Sequence, residues 1–90
     1  MYIDGKADEW LYFSDDVTQH IEEYAIPQYG DKKDDECGDY KIEDLIRQIK
    51  KYAARHGKNS RPGQDQLDLI KIAHTAQMAY TLNSENDDAK

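Results

Sequence analysis

In 90 residues the chain has one valine, one phenylalanine, one tryptophan, one cysteine and two prolines. Each scarcity limits what the protein can be. Val, Ile, Leu and Phe together make up only 15 residues, so no large hydrophobic core can form. That composition combined with a net charge of −7 lies toward the disordered end of the range. A single valine argues against a sizeable sheet, because strands draw on β-branched residues. No uncharged run approaches the roughly 18 residues that cross a bilayer. Cys37 has no second cysteine to pair with and there is no Cys-x-x-Cys, which fits a reducing, cytoplasmic setting better than secretion. The N-terminus carries Asp4, Asp8 and Glu9 and no apolar run, so the chain reads from Met1 without a signal peptide.

What is present is charge, and it is segregated. Residues 1–40 hold twelve acids and three bases. Residues 41–61 hold seven bases (Lys41, Arg47, Lys50, Lys51, Arg55, Lys58, Arg61) against Glu43 and Asp44. Residues 62–90 are again acidic. A net −7 and a pI near 4.8 argue against attraction of the whole protein to DNA, RNA or anionic lipid. The segregation suggests instead that the acidic N-terminal part faces the basic stretch within the fold.

Periodicity predicts an all-α domain. Ile42, Leu45, Ile46, Ile49, Tyr52 and Ala53 recur at helical spacing and predict a helix over residues 41–56. Asp39 is placed to cap it, Arg55 and His56 suit its negative end, and Gly57 can supply a left-handed closing residue. A second helix is predicted over 62–82, with Ser60 as N-cap and Pro62 in the first turn. Its apolar residues form two arcs. Leu69, Ile72, Ala73, Ala76, Ala79 and Tyr80 make one, and Leu67, Ile70, Met78 and Leu82 the other, as in a helix covered on more than one side. A short connector, 58–62, makes the two helices an antiparallel hairpin. A shorter N-terminal helix is expected over 14–25, capped by Ser14 or Asp15 and ended by Pro27. Residues 10–13 (WLYF) fit either an extended stretch or a first helical turn. Residues 28–38 read as a polar loop. The expected organisation is one helical domain, 1–83, and a frayed acidic tail, 84–90.

Four constellations could carry chemistry. The connector offers Arg55, Lys58, Ser60 and Arg61 just ahead of a helix N-terminus, where backbone N–H groups and the helix dipole favour an anion. The same residues also fit a solvated turn. Arg47, Lys50, Lys51, Arg55 and Lys58 form a basic stripe, suited to an anionic partner or to the protein's own acids. The acids Asp15, Asp16, Glu22 and Glu23, and those of the 28–38 loop, could hold a cation, imitate nucleic-acid phosphates or simply be solvated; they lack the order of a calcium loop. His20 has Asp16 and Glu23 at helical spacing, and His74 lies between the two apolar arcs. Neither belongs to a set of metal ligands, so no metal or cofactor is expected. Acids around Cys37 would raise the pKa of its thiol, which argues against a nucleophile.

Residues 43–80 resemble small helical proteins of phage and mobile elements. The phrases carrying the resemblance are Lys51-Tyr52-Ala53-Ala54-Arg55-His56-Gly57-Lys58 and Asp68-Leu69-Ile70-Lys71-Ile72-Ala73. The layout is also similar to all-α MazG-type nucleotide pyrophosphohydrolases, which carry paired Glu-x-x-Glu and Glu-x-x-Asp magnesium motifs. This chain has no Glu-x-x-Glu, and Asp65-x-x-Asp68 is an incomplete approach to one.

The reading that follows is a small acidic, non-enzymatic helical interaction or accessory protein. It would act through a protein partner or by self-association, with Leu67, Ile70, His74 and Met78 at the interface. The alternatives are a phosphate- or nucleotide-binding module built on the 55–63 connector, and an acidic decoy for a nucleic-acid-binding protein.

Overall fold

A computed structural model describes residues 5–32 and 39–88. All regular structure among them is helical. The elements are α1 (Lys6–His20), a π-helical turn (Ile21–Ala25), α2 (Ile26–Tyr29), α3 (Ile42–Ala54) and α4 (Gln64–Asp88). Cys37 and the central acids of the 28–38 loop lie outside the described residues.

The N-terminal helix is longer than the 14–25 segment expected from sequence. It starts after Gly5, with Asp8 and Glu9 in the first turn, where carboxylates suit the positive end of the dipole. Ser14 is therefore an interior residue, and its Oγ donates to the Leu11 carbonyl at 2.8 Å. Residues 10–13 are helical, and Trp10 and Phe13 pack edge-tilted with centroids 5.7 Å apart. Pro27 does not end the rod. The π turn immediately before it widens the helix, the Ile26 N–H donates to the Ile21 carbonyl, and α2 continues to Tyr29. Proline lacks an N–H and crowds the carbonyl four residues back, so a wider turn upstream is one way to keep it inside a helix. Gly30 ends the rod, its N–H donating to the Ile26 carbonyl at 2.8 Å.

Helix α3 follows its sequence pattern. Its apolar stripe turns Leu45 wholly inward and leaves Ile42, Ile49 and Tyr52 half-buried. Asp39 is not its cap. The Asp44 carboxylate reaches back instead, accepting the Lys41 N–H at 2.9 Å.

Helix α4 begins at Gln64, after Ser60 and Pro62 rather than with them, and continues past Leu82 to Asp88. It packs against α3 in the most extensive helix–helix contact of the fold, while α1 makes a smaller contact with α4. Arg55 meets Asp68, and the Tyr52 ring meets Lys71. Partners thus ascend one helix as they descend the other, so the pair runs antiparallel here. The buried positions of α4 are Asp68, Thr75 and Ala79. At about 100° per residue these share one narrow strip. The two apolar arcs flank that strip, leaving Leu69 45% and Tyr80 75% exposed.

The apolar interior is small. Among the described residues the buried apolar side chains are Ala25, Leu45 and Ala79, and α1 has none. The radius of gyration is 14.5 Å, where a compact chain of this length has about 12 Å.

Candidate functional site

The connector between α3 and α4 is organised around a buried carboxylate. Asp68 stands one turn into α4 and is 1% exposed. Burying it requires compensation, because an unpaired carboxylate in a protein interior costs several kcal/mol, on the order of 3–5. Arg55, just past the last turn of α3, supplies that compensation as a fork. Nε donates to Oδ2 at 2.7 Å and Nη2 to Oδ1 at 2.6 Å. Gln64 adds a bond from Nε2 to Oδ1 at 2.8 Å. The Arg55 guanidinium, helped by Gln64, holds the Asp68 carboxyl at about 2, well below its usual value, against the opposing effect of burial. The hydrogen bond to Asp68 correspondingly raises the pKa of Arg55.

Asp65 and Asn59 complete the network. Asn59 Nδ2 donates to Asp65 Oδ1 at 3.0 Å, and lies 3.3 Å from the Arg55 carbonyl. The Gly57 N–H donates to the same Asp65 oxygen at 3.1 Å. These two donors lower the pKa of Asp65. The chain can present the Gly57 N–H in this way because Gly57 adopts a φ of 80°, the left-handed closing conformation expected from sequence. Gly63, with a φ of 79°, turns the chain into α4.

The residues expected to bind an anion therefore separate. Arg55 is turned inward to Asp68. Lys58 and Ser60 are exposed on the connector, with the Lys58 N–H bonded to the Arg55 carbonyl at 3.0 Å. Arg61 faces a cleft of about 720 Å³ enclosed by the π turn, α2, α3 and the start of α4. Lys51, a member of the basic stripe, and Lys71, which sequence reasoning did not place at a site, open onto the same cleft. Their ammonium groups lie 5.4 and 5.7 Å from the Tyr52 ring centroid, within cation–π range, as does the Arg55 guanidinium at 5.1 Å.

Of the residues expected at an interface, Leu67 and His74 line the cleft, and all four of Leu67, Ile70, His74 and Met78 are half-buried. Burial lowers the pKa of His74 and so favours its neutral form. His20 also lines the cleft, its ring stacked on Tyr24 at 5.5 Å.

The basic stripe was expected to pair with the N-terminal acids. Among the described residues its ion pairs are made closer to home. Arg47 Nη1 reaches Asp44 Oδ1 at 3.2 Å, and Arg55 takes Asp68. The N-terminal rod packs on α4 through α1. Among the described residues no group of three or more His, Cys, Asp or Glu side chains converges as metal ligands would. Asp65 and Asp68, the pair nearest to a magnesium motif, are both engaged already, Asp65 by Gly57 and Asn59 and Asp68 by Arg55 and Gln64.

The network residues Asn59 and Gln64 were missed from sequence, and Asp68 was noticed only as part of an incomplete magnesium motif. The available signal was Asp68 itself, an acid set between Leu67 and Leu69 in an otherwise apolar run. Comparison with protein-family models, curated proteins and solved structures finds no match to this chain.

Proposed function

We propose that this is a non-enzymatic helical interaction protein that acts by associating with a second copy of itself. The observation that carries the reading is the imbalance between its interior and its surface. Leu45 is the one large apolar side chain fully buried among the described residues, while Trp10, Leu11 and Tyr12 are each at least half exposed on α1. Leu69 and Tyr80 are exposed as well, on α4, the helix that α1 contacts. Aromatic residues of this kind dominate the energy of protein interfaces, and contiguous exposed apolar surface marks interaction sites. The half-buried Leu67, Ile70, His74 and Met78 lie on the other flank of α4 and stand outside this surface. A symmetric dimer would cover the same patch twice.

Trp10 is the sole tryptophan and 60% exposed, so it reports association directly. On concentrating the protein, its fluorescence should shift to the blue as the ring leaves water, and Leu11→Ser should move that shift to higher concentration. An emission maximum independent of concentration rules out α1 as the interface.

A further inference from the structure

The cleft between the N-terminal rod and the α3–α4 pair has an electrostatic character opposite to that of the protein. The chain has 19 Asp and Glu residues and a net charge of −7. Yet no aspartate or glutamate occurs among the described residues lining the cleft, whereas Lys51, Arg61 and Lys71 all do. They come from three different elements: α3, the connector and α4. Among the described residues none of the three is in an ion pair. Asp68 is held by the Arg55 fork, and Lys71 acts on it only from beyond salt-bridge range. Three cations gathered without a counter-charge among the described residues leave room for an anion to supply it.

The remaining lining points to more than a bare ion. About 720 Å³ is within the range of small-molecule sites and far more than an inorganic anion fills. Tyr24 from the π turn, Tyr29 from α2 and Tyr52 from α3 open onto it. Tyr52 carries the two lysine ammonium groups over its ring, which leaves Tyr29, about half exposed, and the face of Tyr24 not stacked on His20 to meet a planar group. We propose that the cleft binds a mononucleotide-sized anion, its phosphate met by Lys51, Arg61 and Lys71 and its base stacked against Tyr24 and Tyr29. The strongly acidic remainder of the chain repels a polynucleotide, so the ligand is a free mononucleotide rather than a strand.

The test is titration of the full chain at low ionic strength, followed by calorimetry and by amide shifts, with AMP, GMP, CMP and UMP, inorganic phosphate, adenosine and a single-stranded oligonucleotide. At least one mononucleotide should bind with a Kd at or below about 1 mM, and phosphate and nucleoside alone should each be about tenfold weaker. Lys51 and Arg61 are exposed, so Lys51→Gln and Arg61→Gln should each lose about tenfold in affinity with the melting temperature of the free protein unchanged. Tyr24→Ala should reduce the mononucleotide to the affinity of phosphate. The proposal is overturned if no mononucleotide binds, if phosphate binds as tightly as the mononucleotide, if both cation variants bind like the parent, or if the oligonucleotide binds more tightly per nucleotide.

Discussion

The two halves of this small fold are held together by different means. The α3–α4 pair encloses Leu45 and a buried carboxylate whose partners, Arg55 and Gln64, are themselves placed by the connector. The N-terminal rod has no buried residue in α1, packs more thinly on α4, and keeps Trp10, Leu11 and Tyr12 in solvent. The first half is fixed by its own side chains. The second is apolar enough to be covered, yet Trp10, Leu11 and Tyr12 stay exposed among the described residues. With so few aliphatic residues, a second apolar core cannot be built, and a buried, satisfied polar network serves in the pair where a larger core would serve in a bigger protein.

Substitutions that break this contrast should separate by size. Leu45→Ala should have the largest effect, a loss of about 3 kcal/mol by chemical denaturation, because it removes the one large apolar side chain at 0% exposure among the described residues. Asp68→Asn should come next, at about 2 kcal/mol, because it removes the charge that Arg55 was placed to meet while keeping the shape. Trp10→Ala should cost the folded monomer less than about 0.5 kcal/mol, since the ring is mostly exposed, while weakening self-association. A Trp10→Ala variant as unstable as Leu45→Ala would erase the distinction between the halves.

Acid should sharpen it further. Asp68 has a folded pKa of about 2 against an ordinary 3.8, so the stability it contributes is complete above pH 3.8 and is lost as pH falls toward 2. His74 behaves as a buried base with its pKa lowered below 6.5, so the fold prefers it neutral. Its contribution is complete above pH 6.5 and declines as pH falls below that value, because the unfolded chain then binds the proton more readily. Melting temperature against pH should therefore fall in two steps, with His74→Gln removing the upper one and Asp68→Asn the lower.

What could be read from sequence follows the same division. Helix α3 was legible because most of its apolar stripe turns inward, with Leu45 at the centre and Ile46 and Ala53 at its exposed edges. The left-handed closure at Gly57 was legible for the same local reason. In α4 the signal misleads, because the buried strip is marked by Asp68 and Thr75 and the apolar arcs lie to either side. Hydrophobic periodicity cannot find a face whose burial depends on a partner 13 residues away across a turn. The N-terminal helix was misjudged at both ends. Ser14 resembles a cap, yet it bonds back within a helix that had already begun at Lys6. Pro27 resembles a stop, yet a π turn accommodates it. The anion set was read from chain proximity. The fold instead sends Arg55 to Asp68 and collects Lys51 and Lys71, one from each helix of the pair, beside Arg61.

The claim that the exposed N-terminal rod is an interface is tested most directly by sedimentation equilibrium of the full chain from about 1 μM to about 1 mM, a range that brackets weak and moderate dimers. The account predicts a mass that rises with concentration toward twice 10.5 kDa, with Leu11→Ser held near the single-chain value. A mass of 10.5 kDa at every concentration would contradict it.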